Sequence, residues 1–202
     1  MNRRQLLVSL LAATAIAGTS LVSFAQDKKI HVYLLPKVKG VPYFTTCAQG
    51  AEEAAKQLGD VELTYDGPVS GKADEAAKNI EQWTLQGADV IAVSANDPAV
   101  LAPVMKSARD QGVHTITWDA DTPKDSREFF VNQASAEQIG DALVDTLAKD
   151  IGGGDASKAS GEVAIVTATM TAANQNEWMK YMKPNGTGCA IIFPSTSRIA
   201  VP

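Results

Sequence analysis

The run DVIAVSANDPAVLAPVMKSARDQGVHTITWDADTP, residues 89–123, holds one complete repeat of an alternating architecture. DVIAVS (89–94) is almost continuously apolar, as a strand covered on both faces should be. Asp97 followed by Pro98 reads as a helix cap with proline at the first helical position. Val100, Leu101, Val104 and Ala108 then recur at spacings that keep them on one side of a helix, and Gly112 supplies its stop. VHTITW (113–118) is the next strand, and it runs out in two carboxylates, Asp119 and Asp121, directly after Trp118. Whether these acids do chemistry or hold a ligand unchanged is the functional question the sequence poses.

The same pattern extends in both directions. Further apolar, β-branched runs lie at IHVYLL (30–35), VELTY (61–65), FFVN (129–132) and EVAIVT (162–167). Between them Ala73, Ala76, Ala77, Ile80 and Trp83 form a second helical face closed by Gly87. Ser135 with Gln138 makes a capping-box pattern ahead of Ile139, Leu143 and Leu147. The order βαβαβαβ, a short strand, then αβα implies an α/β fold with a mainly parallel, doubly wound sheet and helices on both faces. IGGGDASKASGE (151–162) reads as a linker by composition. Residues 26–132 thus make a nearly complete α/β lobe, and 133–183 begin a second one that lacks the strands to finish. The tail, 184–202, has turn residues scattered through it and no sustained periodicity of either kind.

Residues 1–25 stand apart. Arg3 and Arg4 precede an apolar run from Leu6 to Val22, and Ser23-Phe24-Ala25 offers a small-x-small cleavage site before Gln26. This is the pattern of a secretory signal peptide; the polar and small residues in the run, and the lack of a second span, argue against a membrane anchor. Removing it leaves 16 basic against 23 acidic residues, a formal charge of −7, which argues against a nucleic-acid partner held through phosphates. Cys47 and Cys189 would meet an oxidising compartment, so a bridge between them is open, as is the reading of two separate thiols.

In an open α/β sheet, ligands sit beyond the carboxyl ends of the strands, where loops diverge and helix N-termini point their free N–H groups. Lys37 follows the first run, Asn96 and Asp97 the third, Asp119 and Asp121 the fourth, Asn132 and Gln133 the fifth, and Asn174, Gln175 and Asn176 the sixth. A cation, carboxylates and amides arranged in this way suit the vicinal hydroxyls of a sugar, each of which both donates and accepts. Tyr43 and Phe44 would supply an apolar face for its ring. Each residue also has a structural reading: Asp97 as a cap, Asp121 as a turn former, Lys37 as a solvated lysine, Trp118 and Trp178 as wall or core.

Enzymatic readings fit less well. In phosphatases of the haloacid dehalogenase type a D-x-D pair follows the first strand, with Thr or Val two places on; here the pair follows the fourth, and Pro123 stands in that place. Both histidines, His31 and His114, fall inside strand-like runs, so no Ser-His-Asp set is expected. Cys and His spacing suggests no zinc site, no phosphate-binding loop motif occurs, and no cofactor is expected. A sugar-responsive repressor would need a helix-turn-helix where the export signal stands.

The export signal together with IHVYLLPKVKGVPYF, DVIAVSANDP, TITWDADT, FFVNQAS and TAANQNEW resembles the periplasmic sugar-binding proteins of ABC importers, in the branch that binds rhamnose or autoinducer-2. The resemblance covers about residues 1–183 and rests on P-K-x-x-G-x-x-[YF]-F, T-W-D-x-D-T and Q-N-x-W. It implies a type I periplasmic binding fold and a non-enzymatic, monomeric periplasmic receptor that passes a monosaccharide or autoinducer-2-like ligand to a membrane permease. Lys37 and Asp119 would bind ligand hydroxyls from the first lobe, Asn174 and Gln175 from the second. Tyr43, Phe44, Asn96 and Asp121 complete the expected ligand set. Asn174 departs from the Asp found in autoinducer-2 binders of this kind. The tail resembles nothing in the family, which implies a chain cut short after about residue 183.

Overall fold

The computed structural model describes residues 29–182 and 197–201. Residues 1–25, read above as an export signal, and Cys189 lie outside the described residues.

Five parallel strands form the main sheet in the order β2-β1-β3-β4-β5: β1 (Ile30–Leu35), β2 (Val61–Tyr65), β3 (Val90–Val93), β4 (His114–Trp118) and β5 (Phe130–Val131). Three helices make the crossovers: α1 (Pro42–Leu58), α2 (Ala73–Leu85) and α3 (Pro98–Asp110). This is the doubly wound α/β architecture that the alternation predicts, and the strand order changes direction between β1 and β3.

Alternate residues of the strands feed two cores. Leu35, Ile91 and Val93 meet Ala76, Ile80 and Trp83 of α2 and Leu101, Met105 and Ala108 of α3. Leu34, Ala92 and Trp118 face the other way, onto Phe44 and Ala48 of α1. Burying each large side chain stabilises the fold by roughly 1.5–3 kcal/mol. Thr115 and Thr117 are fully buried on the α3 side, and their hydroxyls are satisfied by the Ser126 carbonyl and the Asp121 carboxylate. That explains why β4 reads T-I-T where its neighbours are apolar.

Local signals act as the sequence predicts. The Asp97 side chain accepts hydrogen bonds from the N–H groups of Ala99 and Val100 at the start of α3. Ser135 accepts from the Gln138 N–H at the start of α4 (Ala136–Ile151).

Beyond β5 the chain forms α4, β6 (Gly161–Ile165), α5 (Ala173–Tyr181) and β7 (Ser197–Val201). Two expectations are corrected here. The tail, read above as lacking regular structure, contributes β7, which pairs antiparallel with β6 in a two-stranded sheet among the described residues. The stripe Leu143–Leu147 of α4 does not face a core: these residues are 47% and 36% exposed. The helix packs at Gly140 instead, where the backbone of α5 approaches so closely that a Cβ would lie 2.7 Å from the Trp178 carbonyl oxygen. Among the described residues no helix is long and apolar enough to cross a membrane.

Candidate functional site

Strand register brings the first part of the site together. Leu35 pairs with Val93, and Val93 with Thr117, so the residues just beyond them share one sheet edge. Lys37 sits there two residues past Leu35, Ser94 one past Val93, and Asp119 two past Thr117. Asp119 is the one non-glycine residue with positive φ (59°) among the described residues, a left-handed turn that aspartate tolerates better than most.

Lys37 and Asp119 are both 8% exposed, and Lys37 Nζ lies 3.1 Å from Asp119 Oδ2. An ion pair this deep is costly unless its remaining hydrogen-bonding capacity is used. It is used: Ser94 Oγ donates to Asp119 Oδ2 at 2.7 Å, Asn174 Nδ2 to Oδ1 at 3.2 Å, and Gln133 Nε2 to Oδ1 at 3.4 Å. Lys37 Nζ in turn donates to Asn174 Oδ1 at 2.8 Å. Burial pulls the Lys37 pKa below its ordinary value, while the Asp119 carboxylate beside it acts in the opposite direction.

Asn174, near the start of α5, is therefore the link between the two parts of the chain. Its carbonyl oxygen accepts from Lys37 and from the Gln175 N–H, and its amide nitrogen donates to Asp119. It accepts from the cation and donates to the carboxylate at once, as a sugar hydroxyl would. Thr171 Oγ1 adds a second crossing, donating to the Asn96 carbonyl at 3.1 Å.

The other predicted site residues are placed differently. Tyr43 is 46% exposed beside this cluster; burial pushes its phenol up to about 12, with Asp119 and Cys47 adding to the shift. Its neighbour Phe44 is buried in the α1 core, edge-on to Trp118 with ring centroids 5.7 Å apart. The Asn96 amide donates to the Gly71 carbonyl, and its oxygen accepts from the Asp97 N–H, so it braces two loops at the rim.

Asp121 turns away from Asp119. Arg127 Nε donates to its Oδ1 at 2.9 Å, the guanidinium NH2 group reaches Oδ2, and the Thr117 hydroxyl and Thr122 N–H also bind it. Burial pushes this carboxyl up, but Arg127, Thr117 and Thr122 together outweigh it and hold the pKa below its ordinary value. The Gln175 side-chain oxygen accepts from the Thr167 hydroxyl and the Ala168 N–H, within its own part of the chain. Lys37, Asp119 and Asn174 are thus the predicted residues that meet; Phe44, Asn96, Asp121 and Gln175 are engaged around them. No group of three His, Cys, Asp or Glu side chains able to hold a metal ion occurs among the described residues.

Three contributors to the site were not in the expected ligand set. Ser94 closes an apolar strand run and had only its position at the strand end to mark it. Gln133 was visible as a polar residue following β5. Arg127 carries no local signal, since its pairing with Asp121 depends on the single 3₁₀ turn at Lys124–Ser126.

Residues 32–184 match the family described as periplasmic binding protein domain. Among solved structures, the chain is similar to an ABC transporter solute-binding protein from Burkholderia graminis C4D1M in complex with D-arabinose, at 33% identity and a TM-score of 0.67, over 77% of this chain and 51% of that one. It is similar to an ABC transporter solute-binding protein from Clostridium phytofermentas with bound L-rhamnose, at 31% identity and a TM-score of 0.66, over 76% and 46%. It also resembles LsrB from Clostridium saccharobutylicum in complex with AI-2, at 26% identity and a TM-score of 0.64, over 75% and 47%. The chain spans about half the length of each of these relatives. The family match runs from within β1 to beyond α5 and takes in Lys37, Asp119 and Asn174, and the chain belongs to the periplasmic binding protein domain family.

Proposed function

We propose that the chain is the ligand-binding portion of a solute-binding protein of an ABC importer, and that it takes a monosaccharide between its two parts and delivers it to a membrane permease. The observation that carries this reading is the cluster of Lys37, Asp119 and Asn174, in which an amide from α5 bridges a buried ion pair on the sheet edge. A sugar hydroxyl entering the cleft can accept from Lys37 and donate to Asp119, taking over both of the bonds that Asn174 now makes. Asn174 and Thr171 would then hold the second part against the bound ligand.

Micromolar affinity corresponds to about −8 kcal/mol, which a few charge-assisted hydrogen bonds and the burial of a sugar ring can supply after ordering costs. In this reading the protein performs no chemistry on its ligand, acts as a monomer, and is exported by residues 1–25 to the periplasm.

The complexes of relatives with L-rhamnose and D-arabinose support the sugar reading. The similarity to LsrB with AI-2 supports a second ligand at the same site, autoinducer-2. Calorimetric titration of the chain with L-rhamnose, D-arabinose and AI-2 tests both. Binding of a sugar that is lost in Asp119→Asn supports the proposal; binding that survives this substitution unchanged contradicts the role given to Asp119.

A further inference from the structure

Next to the Lys37–Asp119–Asn174 cluster lies a cavity of about 120 Å³, between the end of β5 and the N-termini of α4 and α5. It is well below the roughly 300–1,000 Å³ of a pocket that encloses a whole small ligand, so it suits one part of a ligand held in the cleft. Phe130 and Trp178 give it apolar walls, but more than half of its lining side chains are polar.

Most of these polar groups are committed. Arg127 holds Asp121, Glu177 pairs with Lys180, and Asn174 spans Lys37 and Asp119. Two consecutive residues on the way from β5 to α4 are not. Gln133 Nε2 donates to Asp119 Oδ1, while its side-chain oxygen accepts from nothing among the described residues. Asn132 makes no side-chain hydrogen bond among the described residues, so its amide offers both a donor and an acceptor to the cavity it lines. Asn132 is exposed, so water serves this amide until a ligand displaces it, and the ligand gains only the net worth of an exchanged hydrogen bond.

The geometry at Asp119 says what reaches these groups. Its Oδ1 receives both Asn174 Nδ2, at 3.2 Å, and Gln133 Nε2, at 3.4 Å. A ligand hydroxyl that takes over the Asn174 bond therefore stands beside Gln133, and the next hydroxyl along the ligand falls toward Gln133 and Asn132. We propose that Asn132 and Gln133 form a second hydroxyl-binding point and make the site selective for a vicinal diol. One hydroxyl engages the Lys37–Asp119 pair, and its neighbour accepts from the Asn132 amide and donates to the Gln133 oxygen. The inference rests on the sugar-binding reading and adds Asn132 to the residues that set its specificity. One open donor and one open acceptor match what a hydroxyl supplies, whereas a C–H at that carbon exchanges no bond with either amide.

The test titrates the full chain calorimetrically with L-rhamnose and D-arabinose, and then with the monodeoxy analogues, at carbons 1 to 4, of whichever sugar binds. Asn132→Ala should weaken the parent sugar about fivefold and leave the urea midpoint of this exposed position unchanged. With one analogue, the one that lacks the hydroxyl read by Asn132, the substitution should have no further effect, so that the double-mutant cycle of residue against hydroxyl closes on a single carbon. Parent-sugar affinity unchanged in Asn132→Ala would overturn the second binding point and leave sugar binding intact. So would an equal loss with the parent and every analogue, because a residue that acted only by positioning the two parts of the chain would weaken all of them alike. Binding of neither sugar by the wild-type chain would remove the sugar reading and this binding point together.

Discussion

Arg127→Ala isolates the pair that supports the loop carrying Asp119. In the native chain both nitrogens of the guanidinium fork reach Asp121, whose carboxylate also receives the Thr117 hydroxyl and the Thr122 N–H. The two side chains are 12% and 30% exposed. That places the pair between an exposed one, worth about 0–1 kcal/mol, and a buried one, whose truncation costs about 3–5 kcal/mol. An expected loss of about 2 kcal/mol at pH 7 follows, part of it from the stacking of Arg127 over Phe130 at 5.9 Å. Urea unfolding followed by circular dichroism measures it, and a double-mutant cycle with Asp121→Asn separates the ion pair from the stacking.

The pH dependence gives an independent check. The folded-state pKa of Asp121 is depressed, so its contribution is fully present above the unfolded value near pH 4 and is lost as pH falls through the lower folded value. The gap between wild type and Arg127→Ala should therefore close in that acid window. A loss under about 0.5 kcal/mol at pH 7 would place the pair among ordinary surface contacts and refute its supporting role.

Asp97→Ala removes the side chain that caps α3 and should cost about 1 kcal/mol, read as a shift in the urea midpoint with an unchanged m-value. Gly140→Ala sets a methyl against the α5 backbone, 2.7 Å from the Trp178 carbonyl oxygen, and should cost about 1–3 kcal/mol. Hydrogen exchange should show that loss concentrated in α4 and α5, with β1, β3 and β4 unaffected; uniform loss across the chain would show that the two parts unfold as one unit.

The sheet was legible because it rests on local signals. Continuous apolar runs such as Ile30–Leu35 and the Asp97-Pro98 helix start each act within a few residues, and parallel pairing then fixes which residues share an edge. Convergence of Lys37 and Asp119 follows from that register and needed no knowledge of packing. What stayed hidden depends on contacts between distant segments. The β7 strand owes its form to pairing with β6, in a stretch without a periodic pattern of its own. That α4 packs at Gly140 and leaves its leucine stripe exposed was decided by how closely α5 approaches. Asp121 looked like a partner of Asp119 because a single residue separates them in sequence, but the turn at Asp119 sends their side chains to different partners.

A sugar in the cleft should take over the hydrogen bonds which Asn174 now makes to Lys37 and Asp119. Side-chain amide resonances of ¹⁵N-labelled chain, followed while L-rhamnose or D-arabinose is added, report this directly. The Asn174 Nδ2 and Gln133 Nε2 signals should shift and saturate with the same apparent affinity, while Asn96 Nδ2, bound to the Gly71 carbonyl at the rim, stays in place. A saturable sugar response confined to other amides, with Asn174 unmoved, would contradict it.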